Sequence, residues 1–344
     1  MTLAATLGAG PGRGRSPAPP VIGDLFICDV LAASPKDDLG TMEHPIFSLS
    51  TKPDLRVLSY EHNGTQVQVT PSVKGRATIF DKDILIFCIS QLMVGLNAGR
   101  EVSRKLQLKA HDLLLATGRD TGGDSYLRLR EAFERLAGTR ITTNIATGGI
   151  EVTSGFGLIE SWEILRKTRG GRMISVMVTL SDWIFRAVLA RSVLTLSRDY
   201  FSLRKPLERR VYELARKHCG RQPEWRVSVG TLHKKAGSTA PVRVFRAAIR
   251  KMIEEANLPD YSMAEEEGDL IRFTRAGVIE EEATEFAPRF DPEVLEAARA
   301  LAPGADVYAL EAEWRAFWVS SGRPRLTAPD RAFLAWVKGR VKRR

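Results

Sequence analysis

Cysteine is scarce in this chain. Cys28, Cys88 and Cys219 lie far apart, with no CxxC pair and no Cys/His cluster. That excludes a disulfide scaffold and a zinc finger. Long apolar runs are missing too. The longest candidate, residues 84–96, is interrupted by Ser90 and Gln91, well short of the roughly 18 to 20 apolar residues that span a bilayer. Residues 1–20 are rich in Gly, Pro, Ala and Arg without a hydrophobic centre, so no secretory signal is read there and a cytoplasmic protein is expected. Enzyme signatures are absent as well. No GxxxxGK[ST] loop occurs, and the five histidines form neither an HxH nor an HExxH pair, which argues against a P-loop ATPase and a metal nuclease. Tyr200 and Tyr212 are conceivable strand-cleaving nucleophiles, but a buried aromatic or a phosphate hydrogen bond is the better reading. A non-enzymatic protein without cofactor is expected.

What the chain does have is positive charge, unevenly distributed. Its 344 residues are 44% hydrophobic, enough for folded domains, and carry a net charge of +10. Residues 186–251 alone hold 17 Lys and Arg against four Asp and Glu, a net of +13. One segment therefore exceeds the charge of the whole, which implies a polyanionic partner. Double-stranded DNA fits better than a membrane surface.

In chain order, residues 1–24 read as a flexible arm, and 25–38 show no clear period. Alternating runs flank Asn63-Gly64, a strong hairpin signal. Asp81 or Asp83 can cap a helix over 84–96. A strand at 105–108, a short helix at 109–116, the Gly-rich turn 117–124 and a helix at 125–136 follow. The period then switches from 3.6 to 2, with hairpins around residues 148–149 and 170–171 and a helix capped by Ser181. The order then recurs: a basic helix over 203–218, with Arg204, Arg209, Arg210, Arg216 and Lys217 expected largely outward, a strand at 226–229, two helices around a tight turn, and a hairpin over 261–274. The expected fold is α+β, mainly helical: a first winged-helix domain with an N-terminal hairpin extension (25–200), a second winged-helix domain (201–278), then an acidic linker and helical C-terminal region (279–344). Trp314, Phe317, Trp318, Phe333 and Trp336 should close a small helical core or dock on the main body.

Residues 226–256 are the centre of this reading. The turn Ala236-Gly237-Ser238-Thr239 joins two helices, and Ser238 or Thr239 can cap the second, with Pro241 in its first turn. At about 100° per residue, Val242, Phe245, Ala248, Ile249 and Met252 share one side and Arg243, Arg246 and Arg250 the other. Such a helix suits a major groove about 12 Å wide. Phosphate contacts are expected from Arg204, Lys205, Lys234, Lys235 and Ser238 or Thr239, base reading from Arg243, Arg246 and Arg250. In the first domain Ser125, Arg128 and Arg135 occupy the equivalent surface, where backbone or weaker base contact is expected, with a purely packing role as the alternative. The run Glu265-Glu266-Glu267 should repel phosphate, so the second hairpin is expected to point away from DNA or toward a protein.

The strings ATIFDKDILIFCISQL, YLRLREAFERLAGTRITTNI, GFGLIESWEI, MVTLSDWIFRAV and LTLSRDYFSLRKPLERRVYELARKHCG resemble the RepA-type plasmid replication initiators of proteobacteria, relatives of the TrfA-like initiators. The resemblance covers roughly residues 41–275. It implies two winged-helix domains, binding to repeated sequences at a plasmid origin, opening of the adjacent duplex with the host initiator, and recruitment of the replicative helicase. It also implies a homodimer that represses its own gene beside an initiating monomer. A tandem winged-helix transcriptional regulator would present the same DNA face, and a nickase is a third, enzymatic alternative.

Overall fold

The computed structural model describes residues 21–30, 33–62, 65–147, 150–166, 173–220, 222, 224–275, 292–302, 307–320 and 328–341. The arm 1–20, the acidic stretch 276–291 and the turn residues 63–64, 148–149 and 170–171 lie outside them. The chain divides into two compact units, residues 1–274 and 275–344.

Residues 25–43, without a readable period, fold into two short strands and one helical turn: β1 (Phe26–Ile27), β2 (Lys36–Asp38) and α1 (Leu39–Glu43), the last capped by Asp38. Strands β3 (Leu58–His62) and β4 (Thr65–Thr70) pair antiparallel about the expected turn. The apolar segment becomes α2 (Lys82–Asn97), buried on nearly every side, as expected of a helix that is hydrophobic all round. Then come β5 (Lys105–Leu108), α3 (Ala110–Ala116) and α4 (Gly123–Gly138). The amphipathic α4 buries Leu129, Phe133 and Leu136.

The two hairpins after α4 go to different sheets. Strands β6 (Arg140–Thr147) and β7 (Ile150–Gly157) extend the first hairpin into the order β3–β4–β6–β7. Strands β8 (Ile159–Arg166) and β9 (Met173–Leu180) instead join β5, in the order β1–β5–β9–β8. Both hairpins touch α4, the first through β7 and the second through β8, but only the second shares a sheet with β5. Ser181 caps α5 (Asp182–Leu189) by accepting from the Ile184 amide, and β10 (Val193–Thr195) pairs back onto β2.

After a 3-10 turn (Arg198–Ser202), Pro206 opens α6 (Pro206–Cys219), a position that suits its missing N–H. Strand β11 (Glu224–Ser228), helices α7 (Val229–Ala236) and α8 (Val242–Glu255), and strands β12 (Tyr261–Glu266) and β13 (Leu270–Arg275) complete the unit. Their sheet order is β11–β13–β12. Strand β11 thus pairs with the return strand of a hairpin, as β5 pairs with β9. The arrangement occurs twice with no shared sequence pattern.

Each arrangement has its own core. Leu92, Leu106, Phe133 and Val178 belong to the first; Val211, Leu214, Phe245 and Phe273 belong to the second, which Met42 and Ile86 also enter from the N-terminal half.

The outward basic face expected on α6 is wrong for three of its residues. Arg209, Arg210 and Arg216 are all 3% exposed or less. Arg209 pairs with Asp83 of α2 at 2.5 Å, Arg210 donates to the Thr41, Met42 and Lys235 carbonyls, and Arg216 donates to the Thr195 carbonyl. Buried guanidinium groups need such partners, and here they join α6 to the N-terminal half. Tyr200 and Tyr212 are buried in the same core. Tyr200 donates to Glu213, the Tyr212 hydroxyl accepts from the Ser197 amide, and burial pushes both phenols well up.

A second cluster centres on Glu43, which accepts from Lys217 and, at 2.6 Å, from Lys235. Burial raises the Glu43 carboxyl, but those lysines outweigh it and hold it at about 2. Burial, with the cations around this site, holds His44 and His218 at about 4. Unfolded imidazoles take up protons near pH 6.5, so between about 6.5 and 4 the unfolded state binds more protons and stability falls as pH falls. Glu43 adds a further loss from about 4.5 toward 2. Urea midpoints measured across that range should drop steadily, and His44→Gln/His218→Gln should flatten the upper part. A parent midpoint constant from pH 7 to pH 4 would contradict the assignment.

In the unit 275–344, helices α9 (Pro292–Leu301), α10 (Val307–Ser320) and α11 (Pro329–Val341) bury Trp314, Trp318 and Phe333 together. Trp336 packs at the margin, while Phe317 is 52% exposed.

Candidate nucleic-acid interface

Ser228 caps α7 by accepting from the Thr231 amide, and Gly237 ends it at φ +65°. A side chain there would be strained, and its Cβ would fall 2.5 Å from Pro45. The His233 ring bonds the Ala240 carbonyl at 2.8 Å and meets Phe245 edge-on, which closes the turn. Neither Ser238 nor Thr239 caps α8. Pro241 takes the cap position, Ser238 Oγ accepts from the Ala240 amide, and Thr239 accepts from Arg56. The Ser238 hydroxyl is thus used within the turn, and that of Thr239 meets Arg56 of the N-terminal half, before the helix starts.

Phe245, Ile249 and Met252 bury one face of α8. Val242, expected with them, is 41% exposed, and Val244 is 49% exposed. The first turn of α8 therefore stands clear of the core. On its outer face Arg243 is exposed and ion-pairs with no described residue. Arg246 and Arg250 are held by the following hairpin: Arg246 grips Asp269 through two bonds of 3.0 and 2.9 Å, and Arg250 grips Glu265 through two of 2.8 Å. Glu266 pairs with Arg226 and Arg272. The acidic hairpin thus serves as counter-charge to its neighbours, which the expectation of a wing turned away from DNA had not foreseen.

The expected phosphate ligands divide. Lys234 is exposed and unpaired among the described residues. Lys235 turns inward to Glu43 with 7% of its side chain exposed, so it leaves the set of available cations. Lys205 is exposed but bound to Glu208 and Glu255 at 2.9 and 2.6 Å, contacts that raise its pKa. Arg204 is exposed without an ion pair among the described residues.

Arg204 also lines a groove of about 810 Å³ that brings residues of both helical arrangements together, Ser125, Arg128 and Arg135 of α4 among them. Six cations and four carboxylates line it. Arg135 is taken by Asp81 at 2.7 Å, and Arg119 and Arg209 by Asp83 at 2.9 and 2.5 Å. Lys52, Arg128 and Arg204 remain as cations unpaired among the described residues. Sequence reasoning missed Lys52, which stands in a loop with no motif around it, and Arg119, which lies in the Gly-rich turn 117–124 that was read only as a connection. No helix is long and apolar enough to cross a membrane among the described residues.

A family model described as replication initiator protein A matches residues 36–263. A protein of Wigglesworthia glossinidia brevipalpis, assigned by name to replication, is 38% identical over 246 residues, covering 70% of this chain and 89% of that one. Among solved structures, domains 2 and 3 of RctB superpose with a TM-score of 0.52 at 13% identity, over 67% of this chain and 95% of that one; this likeness is one of fold. The family match runs from β2 through α8 and ends within β12, before β13. This chain belongs to the replication initiator protein A family.

Proposed function

We propose that this initiator binds repeated double-stranded DNA at a replication origin through two winged-helix units, with no bond-breaking chemistry of its own. The observation that carries the reading is the duplicated topology. In each arrangement two helices follow a strand that pairs with the return strand of a hairpin, β5 with β9 and β11 with β13. In such units the last helix enters the major groove and its first residues meet base edges. Helix α8 offers Arg243, Arg246 and Arg250 there; Arg204 and Lys234 face the flanking phosphates. Helix α4 offers Arg128 and, through the shared groove, a path for the backbone between the units. Opening of the adjoining duplex with the host initiator and recruitment of the replicative helicase are the downstream steps the family resemblance suggests, and a homodimer would bind the gene's own operator.

Footprinting on the DNA around the encoding gene tests this. Protection of several direct repeats supports the reading; one protected palindrome would point to a regulator instead, and nicked circles from supercoiled origin DNA with Mg²⁺ would revive an enzyme. Within the same assay, Arg204→Ala and Lys234→Ala should each weaken binding to every sequence and lower the salt slope by about one unit. Lys235→Ala should leave the slope unchanged, because its charge is spent on Glu43.

A further inference from the structure

Two valines stand exposed at the start of α8, where an ordinary amphipathic helix would hide or replace them. Val244 is 49% exposed. At 100° per residue it lies on the outer side with the exposed Ala247 one turn on, beside the stripe of Arg243 and Arg250. The surrounding side chains are cationic: Arg243, Arg250 and Lys251 are all exposed. A protein partner seeking an apolar seam would find a narrow one hemmed by like charges. Arg250 is held by Glu265, and Lys251 lies 3.7 Å from Glu255. A DNA major groove supplies an acceptor for Arg243, the one of the three with no ion pair among the described residues, and, within it, one apolar feature, the 5-methyl group of thymine.

We propose that Val244, with Ala247 behind it, is a specificity-determining residue that contacts a thymine 5-methyl group in the recognised sequence, next to the base read by Arg243. The inference rests on the reading of α8 as the groove helix and adds to it the identity of one base. The arginines address hydrogen-bond acceptors such as guanine O6 and N7, whereas the valine adds a contact that cytosine, lacking the methyl, does not make. Burying one methyl group on binding is worth about fourfold in affinity.

The test uses the full-length protein and a synthetic duplex of the footprinted repeat, in which each thymine in turn is replaced by uracil. Uracil keeps the hydrogen-bonding edge and lacks only the methyl. One position, or two adjacent ones, should cost about fourfold, and 5-bromouracil there should restore binding because bromine fills the methyl's place. Val244→Ala should bind the thymine and uracil duplexes alike, with unfolding unchanged since the residue is not in the core. Uracil at every position without effect on the parent would overturn the proposal. So would a thymine preference that persists in Val244→Ala, or a variant whose only change is in self-association. A chain that protects no repeat would sink the origin-binding reading itself, whereas protection with indifference to uracil sinks only the role of Val244.

Discussion

Lys82→Met should lower the stability of the folded chain by about 3–5 kcal/mol, the cost of breaking a buried charge cluster from one side. Lys82 Nζ sits 2.5 Å from Asp37 Oδ2 and 2.9 Å from Glu213 Oε2, and all three side chains are fully buried. Burial and the Glu213 carboxylate push Asp37 up while Lys82 pulls against them. Burial acts against the charged Lys82 too, but its carboxylate neighbours prevail and raise it. Glu213 has further partners, Arg210 at 3.2 Å and the Tyr200 hydroxyl at 2.8 Å. Asp37 is more dependent on the lysine: its other hydrogen bonds come from the Asp38 amide and the Thr41 hydroxyl. Removing the ammonium therefore strands Asp37 first.

The three residues come from α2, β2 and α6, so the cluster ties the first helical arrangement to the second. A loss of that size is a large part of the roughly 5–15 kcal/mol that holds a typical domain folded. Urea unfolding followed by circular dichroism measures it, and Lys82→Met/Asp37→Asn should recover part of the loss by neutralising the stranded group. A single-variant loss below about 1 kcal/mol would mean that the cluster contributes little. An unchanged value in the double variant would mean that Asp37 is not the group left uncompensated.

That cluster was beyond the reach of the sequence, and the reason is physical. Periodicity reports which face of a helix is apolar, so Phe245, Ile249 and Met252 were legible as the buried side of α8, and Leu129, Phe133 and Leu136 as that of α4. It assigns arginine to solvent by default. Arg209, Arg210 and Arg216 break that default because their partners lie far along the chain: Asp83 is 126 residues from Arg209, and the Met42 carbonyl 168 from Arg210. No local pattern announces such a partner. Hairpins were legible from their turns, but not which sheet each would join, since β6 pairs with β4 and β9 with β5 across long separations. At the interface, the arginine stripe was visible, and so was the run Glu265-Glu266-Glu267, but as acids that would repel phosphate rather than as counter-charges, and Asp269 was not singled out. Their juxtaposition across the hairpin needed the structure.

That juxtaposition leads to the second large effect. Glu265→Gln/Asp269→Asn should raise affinity for random DNA at 50 mM salt by roughly tenfold and steepen the salt dependence by about two units. In the parent, each carboxylate holds its arginine in a two-bond grip, Asp269 on Arg246 and Glu265 on Arg250. The hydrogen bonds from those arginines keep both carboxyls below their usual range, so they stay charged at neutral pH. Such exposed pairs are screened and can be broken by a competing ligand, but a nonspecific phosphate gains little by exchanging one anion for another. A guanine edge, which takes both donors of one arginine in a defined plane, competes on geometry as well as charge. The carboxylates therefore suppress random binding more than specific binding. Their amide replacements leave two uncompensated cations facing the duplex, and every sequence gains. Affinity for the footprinted repeat should rise less than for random DNA, so the ratio of the two falls. Titrations of both DNAs from 50 to 200 mM salt give the slopes directly. An unchanged slope would mean that Arg246 and Arg250 do not meet phosphate when released. A ratio that rises would mean that the hairpin acids oppose the specific complex, as a simple repulsion between acid and backbone would have it.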